Sequence, residues 1–129
     1  MKGQRIKVKN IRLEIQDEGE FISEIKRDLK KIAKGENVKN RSTLSFESLK
    51  AMRMFITDER LKILKVVRKY HPESIYELAK ILKRDTKNVS DDVHYLSELG
   101  LLDIKESKDG RKKTTPVVNY QKIMVEIPV

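Results

Sequence analysis

The chain has 129 residues, of which 38% are hydrophobic, so it has material for one modest core and its composition disfavours global disorder. It contains no cysteine, which excludes disulfide frameworks, thiolate zinc sites, iron–sulfur clusters and thiol catalysis. Its 29 basic and 20 acidic residues give a formal net charge of +9. This charge suits a polyanionic partner, with DNA or RNA favoured over an anionic membrane, but it is also typical of a surface whose charges only keep it solvated.

The N-terminal residues alternate between charged and apolar types instead of forming a signal peptide, and no apolar run is long enough to span a membrane. We therefore expect a soluble, cytoplasmic protein.

Apolar residues alternate from Ile6 to Ile15 with a change of phase at Asn10, which predicts a strand interrupted by a bulge or a break.

Helical spacing replaces this alternation after Ile15. A helix is predicted from about Asp17 to Lys34, because acidic residues stand at its start, lysines at its end and Gly35 directly after it. Its apolar stripe consists of Phe21, Ile22, Ile25, Leu29, Ile32 and Ala33. The polar stretch 35–43 is typical of a linker, so we expect a strand–helix extension over residues 1–43 and a domain over residues 44–129.

Four further helices are predicted within residues 44–129. The first is short and runs from Phe46 to Phe55. The second begins after the N-cap Thr57 and cannot continue past His71, because Pro72 follows.

The last two helices of this series are separated by only a few residues. One opens with the capping box of Ser74 and Glu77, and the other begins at Asp85 or Thr86 and ends at Gly100. A turn this short makes the two helices cross steeply, as in a helix-turn-helix. The inner face of the final helix is predicted to consist of Val89, Val93, Leu96 and Leu99.

A β-hairpin is predicted next. Apolar residues alternate over Leu102–Ile104, Asp109-Gly110 is a strong turn signal, and Pro116 belongs at an edge because proline cannot donate to the ladder. Residues Ile123–Ile127 alternate in a last strand. Three helices followed by a basic hairpin describe an α+β fold: a winged helix-turn-helix with an N-terminal strand–helix extension and a C-terminal strand.

The outward face of the final helix is the candidate DNA-reading surface. In a winged helix-turn-helix this helix enters the major groove, where basic and polar side chains meet base edges and phosphates. The candidate contacts in and before the helix are Arg84, Thr86, Lys87, Asn88, Ser90 and His94. His94 is equally well interpreted as an exposed residue without a role. Asp91 and Glu98 are unfavourable near phosphate, so contact is expected in the N-terminal half, and Asp92 is expected to bond a neighbouring helix or a lysine.

The hairpin tip is the second candidate contact, through Lys108, Arg111, Lys112 and Lys113. An arginine would enter a narrow, electronegative minor groove, and the lysines would lie on flanking phosphates. The alternative is a turn that its charges merely keep soluble. Its position after a helix-turn-helix favours the DNA interpretation.

Several runs of residues resemble a known family. They are Leu44–Leu49, Thr57–Leu61, Ser74–Ala79, Arg84–Val89, Asp92–Val93, Leu96–Leu101 and Pro116–Ile127. On these runs the chain resembles winged-helix transcriptional regulators of the MarR type. More narrowly, it is similar to a family of small archaeal and bacterial regulators that are often the antitoxin half of toxin–antitoxin pairs. The resemblance covers about Leu44 to Ile127 and implies DNA binding and autoregulation without catalysis; Lys83 departs from it, since such turns often carry glycine.

The expected partners are double-stranded DNA and a second copy of the chain. One winged helix reads a short half-site, so a homodimer that reads a palindrome is expected. The candidate dimer residues are Phe21, Ile22, Ile25, Leu29, Ile123 and Val125. The alternative is an antitoxin that mainly binds and neutralises a toxin protein, with DNA binding secondary. An enzyme is disfavoured, and no cofactor or metal is expected, because nucleotide-binding and nucleophile motifs are missing and two histidines are too few for a typical zinc site.

Overall fold

The computed structural model describes residues 10–16, 18–35, 43–107 and 113–129, without the side chains of Glu18 and Phe21. In chain order its elements are β1 (Ile11–Ile15), α1 (Glu18–Ala33), β2 (Thr43–Phe46), α2 (Leu49–Phe55), α3 (Asp58–Tyr70), α4 (Ile75–Leu82), α5 (Thr86–Glu98), β3 (Asp103–Glu106), β4 (Thr114–Val117) and β5 (Ile123–Glu126). These helices and strands confirm the α+β class. No helix within the described ranges is long and apolar enough to cross a membrane.

The chain divides into two compact units, and the dividing points differ from the predicted boundary after residue 43. The first unit is discontinuous and consists of the chain up to Phe55 together with Gln121–Val129. The second unit is Ile56–Tyr120. The physical cause is strand pairing. Strand β5 and all of β2 except Thr43 lie within the domain predicted over residues 44–129, yet both strands pair with β1.

Strand β1 is the centre of a three-stranded sheet and runs parallel to both neighbours, in the order β2-β1-β5. Leu13 is in register with Leu44 on one side and with Val125 on the other. Since side chains alternate along a strand, these three share one face of the sheet. Leu13 is buried while Arg12 is exposed, which confirms the predicted alternation in β1; the part predicted before Asn10 lies outside the described residues.

Helix α1 confirms the helix predicted over about 17–34, and Gly35 follows it with a φ of +79°. It lies in the connection between the parallel strands β1 and β2, which requires a crossover. Its apolar stripe is not buried, because Ile22, Ile25, Leu29 and Ile32 are between 43% and 59% exposed. The chain's own core therefore leaves most of this stripe accessible.

The helix predicted over Phe46–Phe55 is shorter than expected, and its predicted start is wrong. Phe46 ends β2, where its carbonyl accepts a hydrogen bond from the N–H of Gln16 at 2.9 Å. Helix α2 begins at Leu49. The ring centroids of Phe46 and Phe55 nevertheless lie 5.7 Å apart. The apolar residues that predicted one helix therefore belong to a strand and a helix that pack together.

Three helices form the core of the second unit. Helices α3, α4 and α5 pack against one another, and each contributes buried apolar side chains. These side chains are Ile63, Leu64 and Val67 of α3, Ile75, Leu78, Ala79 and Leu82 of α4, and Val89, Val93 and Leu96 of α5. The inner face predicted for α5 is thus confirmed except at Leu99, which is half-buried and forms the C-cap.

Tyr120 adds a buried polar group to the second unit. Its hydroxyl donates to the carbonyl of Leu101 at 2.7 Å. Burial raises the pKa of the Tyr120 hydroxyl well above its usual 10.0, because a phenolate would lose its hydration there. The folded chain therefore keeps this hydroxyl protonated in moderately alkaline solution.

Strands β3 and β4 form the predicted antiparallel hairpin. Pro116 of β4 is buried opposite Ile104, and a two-stranded sheet offers it the edge position that a residue without an N–H requires. The hydroxyl of Thr115 donates to the carbonyl of Glu73 at 2.6 Å, which ties the hairpin to the loop before α4. The predicted turn Asp109-Gly110 lies outside the described residues.

Candidate nucleic-acid interface

Helices α4 and α5 are joined by the three residues 83–85. Ser74 is confirmed as the N-cap of α4, and Asp85, one of the two predicted alternatives, is the N-cap of α5. The hydroxyl of Ser74 accepts from the N–H of Glu77 at 3.1 Å, and the carboxylate of Asp85 accepts from the N–H of Asn88 at 3.1 Å. These caps fix the start of each helix, so the first turn of α5 follows α4 after a short, defined connection.

Helix α5 has one buried face and one exposed face. Val89, Val93 and Leu96 expose no surface. On the other side Thr86, Lys87, Asn88 and His94 are exposed, and Ser90 is half-buried. The helix therefore presents a polar first turn while its opposite side is held in the core.

Two hydrogen bonds run along the exposed side of α5. The ammonium group of Lys87 donates to the carboxylate of Asp91 at 3.3 Å, but both side chains are largely exposed, so this pair is weak. Nδ1 of His94 lies 2.8 Å from the carbonyl of Ser90. This contact is a hydrogen bond in the tautomer that carries a proton on Nδ1.

Arg84 differs from the other predicted contacts. Its Nη2 donates to Oδ2 of Asp92 at 3.0 Å, and its Nη1 lies 3.8 Å from a carboxylate oxygen of Glu59. The Arg84 side chain is 24% exposed. The guanidinium of Arg84 is therefore already engaged within the second unit, and its role as a DNA contact stays a prediction. The expectation that Asp92 bonds a neighbouring element is confirmed.

Lys83 is an additional candidate for the interface that was not predicted from the sequence. It is exposed and follows α4 directly, with φ 57° and ψ 45° in the left-handed region that favours glycine. The turn thus carries an exposed cation at a position where the backbone prefers a residue without a side chain. The signal in the sequence was the departure from glycine at this position.

The hairpin tip is described in part. Lys113 is exposed, and its Nζ lies 3.4 Å from a carboxylate oxygen of Glu73. Lys108, Arg111 and Lys112 lie outside the described residues. The structure therefore supplies the paired strands that carry the tip and one of its four predicted cations.

The exposed face of α5 is not strongly basic, because Asp91 and Glu98 accompany its single lysine. Exposed cations of the second unit are more numerous on α3, at Lys62, Lys65, Arg68 and Lys69. Within the described ranges, no group of three or more histidine and acidic side chains could hold a metal ion. Helix α5 thus offers hydrogen-bonding groups more than charge.

The predicted dimer residues are accessible in the single chain. Ile22, Ile25 and Leu29 lie on the exposed stripe of α1, Val125 of β5 is 45% exposed, and Ile123 is half-buried. The side chain of Phe21 is outside the described set. Apolar surface therefore remains open on one helix and one strand of the first unit.

Comparison with protein families matches residues 55–125 to the HVO_A0114 family. The match includes α3, α4, α5 and the β3–β4 hairpin and spans more than half of the 129 residues. A comparison with curated proteins gave no match. The family description states no activity, so the match assigns membership without a function. On this match the chain belongs to the HVO_A0114 family.

Proposed function

We propose that the protein is a sequence-specific regulator of transcription that binds double-stranded DNA through a winged helix-turn-helix in Ile56–Tyr120. Helix α5 enters the major groove with its first turns, and the hairpin tip contacts the minor groove and phosphates. The contacting residues are Lys83, Thr86, Lys87, Asn88, Ser90 and His94, together with Lys108, Arg111, Lys112 and Lys113 of the tip.

The asymmetry of α5 is the observation that supports this function most directly. Val89 and Val93 are fully buried, and Lys87 and Asn88 are exposed on the other side of the same helix. A helix that is fixed along one side can insert its other side into a groove without disturbing the core. Asparagine can form two hydrogen bonds with adenine, and lysine can donate to guanine, so these residue types suit base edges.

The hairpin supports the same function through its charge. Residues 108–112 contain three cations and one acid, and Lys113 follows them on an exposed position. The bond from Thr115 to Glu73 ties the hairpin to the loop before α4, the helix that precedes the reading helix. A tip with this charge suits phosphates or a narrow minor groove.

Selection of bound sequences from a random DNA library at fixed salt tests this proposal. We expect enrichment of one defined sequence, bound at least about 10³-fold more tightly than a scrambled duplex of the same length. Recovered sequences without a common element, or equal affinity for the two duplexes, would contradict sequence-specific binding.

The exposed stripe of α1 supports a homodimer as the active form. Ile22, Ile25, Leu29 and Ile32 share one side of the helix, and a contiguous apolar stripe of this kind is typical of an interaction surface. The same stripe of a second copy would cover it and would relate two reading helices by a dyad, which suits a palindromic site.

The same stripe also favours a second candidate function, in which a different protein such as a toxin covers α1 and DNA binding is secondary. Light scattering of the purified protein distinguishes the two. A dimer mass supports the homodimer, whereas a monomer mass contradicts it and favours a different protein partner.

A further inference from the structure

Asp92 joins two arginines that belong to different parts of the second unit. It lies on α5, one position after the exposed Asp91. Its Oδ1 accepts from Nε of Arg60 on α3 at 3.2 Å, and its Oδ2 accepts from Nη2 of Arg84 in the α4–α5 turn at 3.0 Å. One carboxylate therefore connects α5 to another helix and to its own preceding turn.

This cluster is partly shielded from water. The side chains of Asp92, Arg60 and Arg84 are 17%, 21% and 24% exposed. The guanidinium of Arg60 also lies 4.1 Å from the centre of the Tyr95 ring, one turn further along α5. Partial burial strengthens such ion pairs relative to exposed ones, and a planar guanidinium fixes direction as well as distance.

The two bonds of Asp92 restrict how α5 can move. A helix held by its apolar face alone can still rotate slightly about its axis, and that rotation would displace Lys87 and Asn88. Hydrogen bonds to base edges tolerate displacements of only about half an ångström before they weaken. We propose that Asp92 is a positioning residue that fixes the orientation of α5 for reading bases. This inference rests on the proposed DNA-binding function.

Electrostatics alone predicts a different effect when the charge of Asp92 is removed. Removing a carboxylate from a DNA-binding surface lowers the repulsion of phosphates, so Asp92→Asn would raise the affinity for every duplex. Asp91→Asn makes the same chemical change at the neighbouring position, where the side chain is 67% exposed and bonds Lys87. The two variants lose the same charge, and they differ in whether the arginine cluster is broken.

The test measures the affinity of both variants for the selected sequence and for a scrambled duplex of equal length, at several salt concentrations. We expect Asp91→Asn to raise both affinities. We expect Asp92→Asn to lower the ratio of selected to scrambled affinity by about tenfold, the discrimination that one base contact supplies. Its salt slope should not change, because no phosphate contact is lost. Equal behaviour of the two variants would overturn the proposal.

Arg84→Lys provides a second variant if Asp92→Asn does not fold, as judged by circular dichroism and the thermal midpoint. It leaves the net charge unchanged, but an ammonium group cannot reproduce the directed bonds of a guanidinium. We expect a similar loss of discrimination with an unchanged salt slope, and an unchanged affinity ratio would overturn the proposal. If the unmodified protein binds both duplexes equally, the proposed function and this inference both fail. If the unmodified protein discriminates between the duplexes and the variants discriminate equally well, only this inference fails.

Discussion

Lys83 is a residue at which the backbone angle decides the effect of a substitution. Its left-handed φ of 57° costs an L-residue roughly 1–2 kcal/mol, whereas glycine adopts it freely. Glycine also gives the unfolded chain more freedom, which offsets part of this gain. We therefore expect Lys83→Gly to raise the free energy of unfolding by up to about 1 kcal/mol, measured by urea denaturation.

Lys80→Gly is the matched control for this prediction. Lys80 is exposed and lies within α4, so the same chemical change occurs in a helical backbone. It should lower the free energy of unfolding by about 1 kcal/mol. Equal destabilisation by both substitutions would show that the left-handed conformation of Lys83 carries no strain.

Tyr120 makes the stability of the second unit depend on alkaline pH. Because the pKa of its buried hydroxyl is raised, the folded chain retains a proton that the unfolded chain releases near pH 10. The contribution of the protonated Tyr120 hydroxyl to the free energy of unfolding is fully present below pH 10. It is lost as the pH rises through the pKa of the folded state. Tyr120→Phe should remove this dependence of stability on pH. At neutral pH it should lower the free energy of unfolding by about 1 kcal/mol, because the Leu101 carbonyl loses its hydrogen-bond donor.

Urea denaturation between pH 8 and about pH 11 checks this prediction, because lysines titrate equally in both proteins and cancel in the difference. The gap between the unmodified protein and Tyr120→Phe should narrow as the pH rises. Tyr70→Phe, at an exposed tyrosine, should leave the profile unchanged. A constant gap for Tyr120→Phe would disprove the linkage.

Asn88 and Lys113 are expected to separate base reading from attachment to phosphates. Asn88→Ala removes no charge and should cost about 1–3 kcal/mol of discrimination between selected and random DNA. Lys113→Ala should weaken both complexes alike and reduce the salt slope by up to about one. Both side chains are exposed, so neither change should move the thermal midpoint. If the two variants are indistinguishable in this comparison, the assignment of α5 as the reading helix fails.

At the scale of elements, helices were more predictable than strand pairing. Thr57, Ser74 and Asp85 cap the helices that follow them, and a cap depends on residues three or four positions apart. The pairing of β1 with β2 and β5 depends instead on segments distant in sequence, so alternation predicted strands without their partners. The sequence predicted that Asp92 bonds a neighbouring helix or a lysine, but it did not identify Arg60 as the partner, because Arg60 lies on another helix.

Helix α1 gives the prediction that tests assembly. Leu29 is 59% exposed in the single chain, so Leu29→Asp should leave the fold intact. In a dimer closed over this stripe the new charge would be buried without a partner, at a cost of several kcal/mol. We expect light scattering to show conversion from dimer to monomer, with an unchanged circular dichroism spectrum.

Ser23→Asp is the control for this substitution. It adds the same negative charge at an exposed polar position of α1 outside the apolar stripe. The dimer should persist in this variant. Loss of helical signal in Leu29→Asp would instead show that the stripe belongs to the core of the chain.

At the scale of the whole molecule, charge is distributed unevenly. Residues 1–9 contain four basic residues and no acidic one, and residues 108–112 contain three basic residues and one aspartate. Helix α5 contains Lys87 as its one lysine or arginine. Attraction to DNA would therefore come mainly from basic segments outside the reading helix, and discrimination from the helix itself.

This distribution predicts a strong effect of salt on DNA affinity. Each phosphate neutralised by a lysine or arginine releases counterions, so the logarithm of the affinity should fall linearly with the logarithm of the salt concentration. Six or more such contacts would lose about 10³-fold or more between 50 and 200 mM salt. Fluorescence anisotropy with a labelled duplex measures this slope, and a flat response would remove DNA as the main partner.

The position of β5 in the three-stranded sheet has a consequence for the order of folding. Leu13 pairs with Val125, and the whole Ile56–Tyr120 unit lies between them in the chain. Synthesis runs from the N-terminus, so this unit leaves the ribosome while β1 still lacks one of its two neighbours. Its helices α3, α4 and α5 follow one another directly in the chain, so their packing closes shorter loops than the pairing of β1 with β5 does. The helical unit is therefore expected to fold first, and the sheet to be completed afterwards when β5 returns to β1.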